Sequence, residues 1–144
     1  MLPDFTATGE LPAGEHPADL QEVEDRFATN PTRTAPFVGF ARAARALAAA
    51  GCRTVWLDGS FITDKNEPGD FDATFDVERV DWIALGLAEP ELLDFDAPRN
   101  TQKRVFGGEL IPNVAGGVDF VEFFQTNRNG EAKGIVRIDL TELT

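Results

Sequence analysis

Apolar positions recur at helical spacing in the first third of the chain and predict two helices. Three apolar side chains fall on one stripe of residues 18–27, so we expect an amphipathic helix there with Pro17 in its first turn. A second apolar stripe runs through residues 37–47 and predicts a helix that Pro36 opens and Gly51 ends. The small Ala-rich face of this second helix would let a sheet approach closely.

The next two segments have the pattern of strands. Residues 53–59, RTVWLDG, form a short run of β-branched and aromatic residues. Residues 70–77, DFDATFDV, alternate strictly, with acidic and polar side chains on one face and apolar side chains on the other. The apolar face belongs against a helix, whereas the acidic face must be open to solvent or occupied by cations.

The second half of the chain predicts short helical turns and a hairpin. The helical turns fall at residues 80–87, 90–95 and 99–106, before Gly107-Gly108 breaks the pattern. Residues 118–125 and 133–140 flank the strong turn signal Asn129-Gly130, so we expect them to pair as an antiparallel hairpin.

Length and element order together predict one domain. A chain of 144 residues with 42% apolar residues is large enough to bury one core, so residues 1–144 form a single unit. Residues 1–16 are rich in Pro, Gly and Thr and are predicted to be an irregular arm. The order helix, helix, strand, strand, small helices and hairpin predicts an α/β (α+β) fold, a mixed sheet of four or five strands with helices on one face.

Charge and cysteine content narrow the classes of function. The net charge of −12 repels the phosphate backbone of a nucleic acid, so a nucleic acid is a poor partner. Cys52 is the only cysteine, which excludes an internal disulfide and a multi-cysteine zinc site. The sequence also shows no secretory leader and no apolar stretch long enough for a membrane span, so we expect a cytoplasmic protein.

Six carboxylates and one lysine lie in residues 58–76, a net charge of −5. Within this window Asp70 and Asp72 are two apart, so on a strand they project the same way and can converge on a cation. Mg²⁺ takes few protein carboxylates and fills its other positions with water and substrate phosphate. A calcium-binding structural domain is a weaker alternative, because the spacing lacks the regular oxygen ligands of an EF-hand loop.

The acidic pair follows a Gly-Ser pair at a defined distance. Gly59-Ser60, nine residues and then Asp70-Phe71-Asp72 give the pattern Gly-Ser-x9-Asp-x-Asp. This pattern resembles the signature of the nucleotidyltransferase superfamily that includes DNA polymerase beta, kanamycin nucleotidyltransferase and the bacterial minimal nucleotidyltransferases. Over nearly its whole length the chain also looks like a family of small bacterial proteins described as nucleotidyltransferase-like.

The resemblance implies a minimal nucleotidyltransferase fold and a set of site residues. It implies Asp70 and Asp72 as ligands of Mg²⁺ or Mn²⁺, and Gly59-Ser60 as the contact to the phosphates of a nucleoside triphosphate. Lys65 is the nearest cation, and it either reaches the triphosphate or is simply solvated.

A third carboxylate is expected on a later strand. Asp119 has the usual setting between apolar residues, while Glu122 lies on the opposite face of the predicted strand. We favour Asp119 over Glu122, because the face of Asp119 also carries the polar Gln125.

The activity that the resemblance implies is a Mg²⁺- or Mn²⁺-dependent transfer of a nucleotidyl group from a nucleoside triphosphate, such as ATP, to a hydroxyl acceptor, with release of pyrophosphate. The acidic composition favours a protein or small-molecule acceptor over a nucleic acid. The alternative is a catalytically weak or inactive protein of the same fold that binds a protein partner, such as one half of a toxin-antitoxin or defence pair. Many active members of the superfamily that the chain resembles carry an arginine in a helix after Gly-Ser. Its absence here favours this alternative or dependence on a partner.

Overall fold

The computed structural model describes residues 1–95 and 100–143. Within these residues the strands are β1 (Gly14–Ala18), β2 (Thr54–Gly59), β3 (Phe71–Asp76), β4 (Gly108–Asn113) and β5 (Gly134–Asp139). The α-helices there are α1 (Leu20–Phe27), α2 (Pro31–Ala49), α3 (Trp82–Ala88), α4 (Asn100–Phe106) and α5 (Phe120–Phe123). Two short 3₁₀ turns span Ser60–Ile62 and Pro90–Leu93.

The strands form one mixed sheet in the order β1-β5-β2-β3-β4. Strand β2 is antiparallel to both of its neighbours, whereas β1 pairs with β5 and β3 with β4 in parallel. The predicted α/β (α+β) class with a mixed sheet is therefore confirmed.

The core lies between one face of this sheet and the helices. Alternate residues of β2 and β3 are fully buried there, among them Leu57 and Phe71. The Phe71 ring meets that of Phe40 from α2 edge-on, with 5.3 Å between the ring centroids. At Gly39 a side-chain carbon would lie 1.8 Å from the Phe106 carbonyl oxygen, so glycine lets α2 and α4 approach closely.

Helix α1 begins later, and helix α2 begins earlier, than the sequence pattern predicts. Pro17 lies in β1, and α1 begins after Asp19, whose side chain accepts a hydrogen bond from the Glu22 N–H at 2.8 Å. Helix α2 begins at Pro31 with Asn30 as its cap, so Pro36 lies inside the helix. In both cases the cap side chain fixes the first turn and the apolar stripe does not.

The prediction that residues 1–16 form an irregular arm is wrong for the last residues of this segment. Strand β1 begins at Gly14 and pairs with β5 at the edge of the sheet. The sequence pattern did not predict β1, because the strand is short and contains Pro17. Proline argues against a strand in general and is tolerated in edge strands only.

The predicted hairpin between residues 118–125 and 133–140 is also wrong. The first segment contains α5, and β5 pairs instead with β1 and β2. The Asn129-Gly130 turn does exist, with Gly130 at φ +77° and its N–H bonded to the Asn127 carbonyl at 3.0 Å. Around it only the isolated bridge between Thr126 and Ala132 forms.

The short helical segments are confirmed at residues 82–88, 90–93 and 100–106, while Arg99 lies outside the described residues. Strand β4 was not predicted, because Gly107-Gly108 reads as a break. At Gly108 a side-chain carbon would lie 2.4 Å from the Phe71 carbonyl oxygen, so glycine is needed where β4 meets β3.

In the part of the chain that the structure describes, no helix combines the length and apolar character of a membrane span.

Candidate functional site

The predicted Gly-Ser turn and Asp-x-Asp segment lie side by side in the structure. Gly59 ends β2 at φ +94°, and a side-chain carbon there would lie 3.0 Å from the Asp72 nitrogen and 3.2 Å from the Asp70 carbonyl oxygen. Only glycine fits this conformation and this approach. The Ser60 hydroxyl oxygen accepts a hydrogen bond from the Gly69 N–H at 2.9 Å, which closes the loop between the two motifs.

Three carboxylates form a row across three adjacent strands. Asp72 of β3 lies opposite Asp58 of β2 and opposite Glu109 of β4 in the strand register. Residues in register point to the same face of a sheet, and this face is opposite the core. We call Asp58, Asp72 and Glu109 the carboxylate row. Asp70 lies just before β3, as predicted two residues from Asp72, and is exposed.

Two lysines approach the acids from other elements. Lys133, directly before β5, forms an ion pair and hydrogen bond with Asp58, and both side chains are largely buried. The Lys103 ammonium of α4 lies 3.3 Å from Glu109 Oε1 and 3.6 Å from Asp70 Oδ2. Four carboxylates therefore share two ammonium groups, and the site retains an excess of negative charge.

Burial and the excess negative charge act together on Asp72. Burial, and then the negative charges of Asp58 and Glu109, raise the pKa of Asp72 to about 6 against the weaker opposing effect of the two lysines. Burial also raises the pKa of Asp58, although its contact with Lys133 works in the opposite direction. The centre of the carboxylate row is thus short of positive charge.

This shortage predicts a pH dependence of stability in the presence of a chelator. The folded-state pKa of Asp72 is raised above the unfolded value, so the native state binds the additional proton between about pH 4 and 6. Stability should therefore decrease as pH rises through this window, by about 2 kcal/mol after allowance for partial exposure. Asp72→Asn should remove most of this slope in urea unfolding measured from pH 4.5 to 7.5, and an unchanged slope would contradict the assignment.

The chemistry of the donors fits a divalent cation such as Mg²⁺. The acids of the site offer carboxylate oxygens, and Mg²⁺ prefers oxygen ligands while retaining several waters and substrate phosphates. Across residues 1–95 and 100–143, no group of three or more His, Cys, Asp or Glu side chains converges closely enough to hold a metal ion. The metal site with Asp70 and Asp72 stays a prediction.

Asp119 and Glu122 do not lie on the strand that the sequence predicts. Asp119 caps α5, and its carboxylate accepts hydrogen bonds from the Val121 and Glu122 N–H groups at 3.1 and 3.3 Å. Both acids are exposed and neither lies on a strand, so their placement on opposite faces of a strand was wrong. Their role as metal ligands stays untested, but the later strand that carries an acid beside Asp72 is β4, with Glu109.

Lys65 lies in an exposed loop after the Gly-Ser turn. Its backbone carbonyl accepts a hydrogen bond from the buried Arg33 guanidinium. The structure therefore fixes the backbone of Lys65 near the site and leaves the predicted contact of its ammonium with a triphosphate open.

Arg33 is the positioning residue that sequence reasoning missed. Only 4% of it is exposed, and its guanidinium donates to the carbonyls of Phe61 at 2.7 Å, Thr63 at 2.6 Å and Phe27 at 3.2 Å, as well as to that of Lys65. Burial lowers the pKa of Arg33, while the charge of Asp64 opposes this effect. The arginine ties the segment after Gly59-Ser60 to the end of α1.

The comparisons with known proteins give a family and no activity. No curated protein and no solved structure matches the chain. One family matches residues 3–139, and its description reads "Family of unknown function (DUF6932)". Because this match spans the whole sheet together with the Gly-Ser turn and the carboxylate row, the chain belongs to the DUF6932 family of unknown function.

Proposed function

We propose that this protein transfers a nucleotidyl group from a nucleoside triphosphate to a hydroxyl acceptor, with Mg²⁺ or Mn²⁺ as cofactor. The observation that carries the proposal is the carboxylate row beside the Gly59-Ser60 turn. A phosphate-binding turn next to clustered acids is the arrangement that metal-assisted phosphoryl chemistry requires.

Asp70 and Asp72 would hold the cation, and Glu109 would join them after the three side chains move closer together, because they do not converge in this structure. Glu109 replaces Asp119 as the third carboxylate in this proposal, because it lies in register with Asp72 on the adjacent strand. When bound, the metal supplies positive charge that screens the acids from the triphosphate and stabilises the charge of the leaving pyrophosphate. Besides burial, the negative charges of Asp58 and Glu109 raise the pKa of Asp72, and a cation would offset these charges.

The remaining steps belong to side chains of the chain itself. The Ser60 oxygen accepts from Gly69 N–H, so its own proton is available to a phosphate oxygen. A carboxylate of the row accepts the proton of the acceptor hydroxyl, whose oxygen then attacks the α-phosphorus while pyrophosphate leaves. The Asp58–Lys133 pair neutralises one end of the row and leaves Asp72 and Glu109 for this work.

A second candidate function is that of an inactive protein of this type that binds a protein partner. The specific observation in its favour is that Lys103 already pairs with Asp70 and Glu109, two of the acids that would hold the cation. Lys133 likewise pairs with the neighbouring Asp58. In that case the ammonium groups serve as permanent counter-ions, and the fold presents surfaces instead of a reaction site.

Thermal unfolding with metal and nucleotide separates the two candidates. We expect Mg²⁺ or Mn²⁺ to raise the Tm, and a nucleoside triphosphate to raise it further mainly in the presence of the metal, because ligands of the native state stabilise it by mass action. Asp70→Ala/Asp72→Ala should lose the metal-dependent shift. The matched control Asp139→Ala/Asp76→Ala, with acids at the other end of the sheet, should keep it.

Equal metal-dependent shifts in the wild type and in Asp70→Ala/Asp72→Ala would contradict the site. No metal-dependent shift in the wild type would favour the partner-binding protein. Incubation with each of the four labelled nucleoside triphosphates and a cell lysate, with and without Mn²⁺, then tests transfer itself and reports the class of acceptor.

A further inference from the structure

A cleft between α2 and α4 opens directly beside the site. It has a volume of about 440 Å³, which lies within the range of small-molecule sites. Asp70 and Lys103 line its edge on the side of the carboxylate row, and Gly69 continues it toward Ser60. A ligand in this cleft would therefore touch the same loop that closes the Gly-Ser turn.

The charged side chains that line the cleft are mostly cationic, in contrast to those of the protein as a whole. Three cations, Arg42, Lys103 and Arg104, line it against the single carboxylate of Asp70, in a chain with 13 basic and 25 acidic residues. A concentration of positive charge on an acidic protein favours an anionic ligand at that point.

The three cations differ in their freedom to bind. Glu89 holds Arg42 through two hydrogen bonds, one of them 2.6 Å long, so the charge of this guanidinium is already paired. The Lys103 side chain is 44% exposed, and its contacts of 3.3 and 3.6 Å to Glu109 and Asp70 are ion pairs of a kind that stabilises little. Arg104 is exposed and forms no ion pair with any residue that the structure describes.

The walls add an apolar surface to these charges. Pro36 and Val38 of α2 and Phe106 of α4 line the cleft, and Val38 is 59% exposed. A ligand that carries both a phosphate and an organic ring or sugar matches such a lining better than inorganic phosphate does.

We propose that this cleft is a binding subsite for a phosphate-bearing small molecule, with Arg104 and Lys103 as its phosphate ligands. The subsite rests on the proposed transfer for its role, in which Lys103 would exchange its contacts with Asp70 and Glu109 for the phosphate and the cation would then balance the charge of these acids. The phosphate belongs either to the nucleoside triphosphate or to a phosphorylated acceptor, and the chemistry of the cleft is the same for both.

The test is isothermal titration calorimetry of the full chain with ATP and, separately, with glucose 6-phosphate, both in EDTA. We expect at least one of the two to bind without metal, and its affinity to decrease with rising salt. Arg104→Gln should weaken this binding about tenfold through loss of a charge-assisted hydrogen bond. Lys103→Gln should weaken it as well, and circular dichroism checks that both variants fold.

Arg53→Gln is the matched control, because it changes the net charge by the same amount. Arg53 is exposed and lies directly before β2, at the end of that strand away from Gly59. Binding of ATP alone assigns the cleft to the nucleotide, and binding of glucose 6-phosphate alone assigns it to the acceptor. Failure of both ligands to bind the wild type, or equal affinities of the wild type and Arg104→Gln, would overturn the subsite. Metal-free binding that Arg104→Gln weakens, combined with the absence of any effect of Mn²⁺, would retain the subsite and reject the proposed transfer.

Discussion

Replacing Glu109 with glutamine is expected to lower the turnover of nucleotidyl transfer by at least about two orders of magnitude while the protein stays folded. The substitution keeps the shape of the side chain and removes one negative charge from the carboxylate row. Glu109 lies in register with Asp72 and contacts Lys103, so its loss weakens the binding of a cation where charge develops during the reaction. Single-turnover transfer of a labelled nucleotide measures this effect, and nucleotide binding should fall less than turnover.

Asp119→Asn and Glu122→Gln are the matched controls for this substitution. Both acids are exposed around α5, away from the sheet register that contains Asp72, so neither change should reduce turnover more than about twofold. A large loss confined to Asp119→Asn would show that the third carboxylate is the one that the sequence pattern favoured. Transfer that none of the three substitutions affects would contradict the mechanism, and no transfer with any nucleotide would favour a partner-binding protein.

The sequence predicts the centre of the site because its signals there are local. Strict alternation in residues 70–77 identified β3, which spans Phe71–Asp76, and the β-branched run before Gly59 identified β2. Alternation also assigned the buried and polar faces of β3 correctly, since Phe71 is buried and Asp72 faces away from the core. Each of these features depends on neighbours in the chain.

Strand β4, which carries Glu109, was not predicted, because its sequence signals are weak and its partner strand β3 is distant in the chain. Strand β4 begins at the second of two consecutive glycines and contains Pro112, which is tolerated because β4 is an edge strand. Residues 118–125 have a more convincing apolar pattern, yet a short apolar run does not distinguish a strand from a helix. There Asp119 caps α5, so it does not lie on a strand, where the third carboxylate was expected.

The counter-ions of the site could not be predicted from spacing at all. Lys133 is 75 positions from Asp58 in the chain, and Lys103 is more than 30 from Asp70. Their contacts depend on how α4 and the segment before β5 pack against the sheet, which composition and periodicity do not encode. The same is true of Arg33, whose acceptors are backbone carbonyls and therefore leave no trace in the side-chain pattern.

Arg33→Met is expected to lower the free energy of unfolding by about 3 to 4 kcal/mol. Methionine fills a similar volume but leaves the carbonyls of Phe61, Thr63 and Lys65 without their donor in a buried position. Because these carbonyls belong to the segment directly after Gly59-Ser60, any metal-dependent binding of nucleotide should weaken along with stability. Urea unfolding with a common m-value measures the first effect, and thermal shifts with Mn²⁺ and ATP measure the second.

Arg33→Lys provides the graded comparison, since a lysine keeps the charge but cannot span the separate carbonyls that a planar guanidinium reaches. It should lose less stability than Arg33→Met, and it keeps the experiment informative if the methionine variant fails to fold. Arg53→Met is the exposed control and should change the free energy of unfolding by less than about 0.5 kcal/mol. If Arg33→Met unfolds at the same urea concentration as the wild type, the guanidinium does not hold the segment after the Gly-Ser turn, and the precise placement of that turn must come from Gly59 and the Ser60–Gly69 hydrogen bond alone.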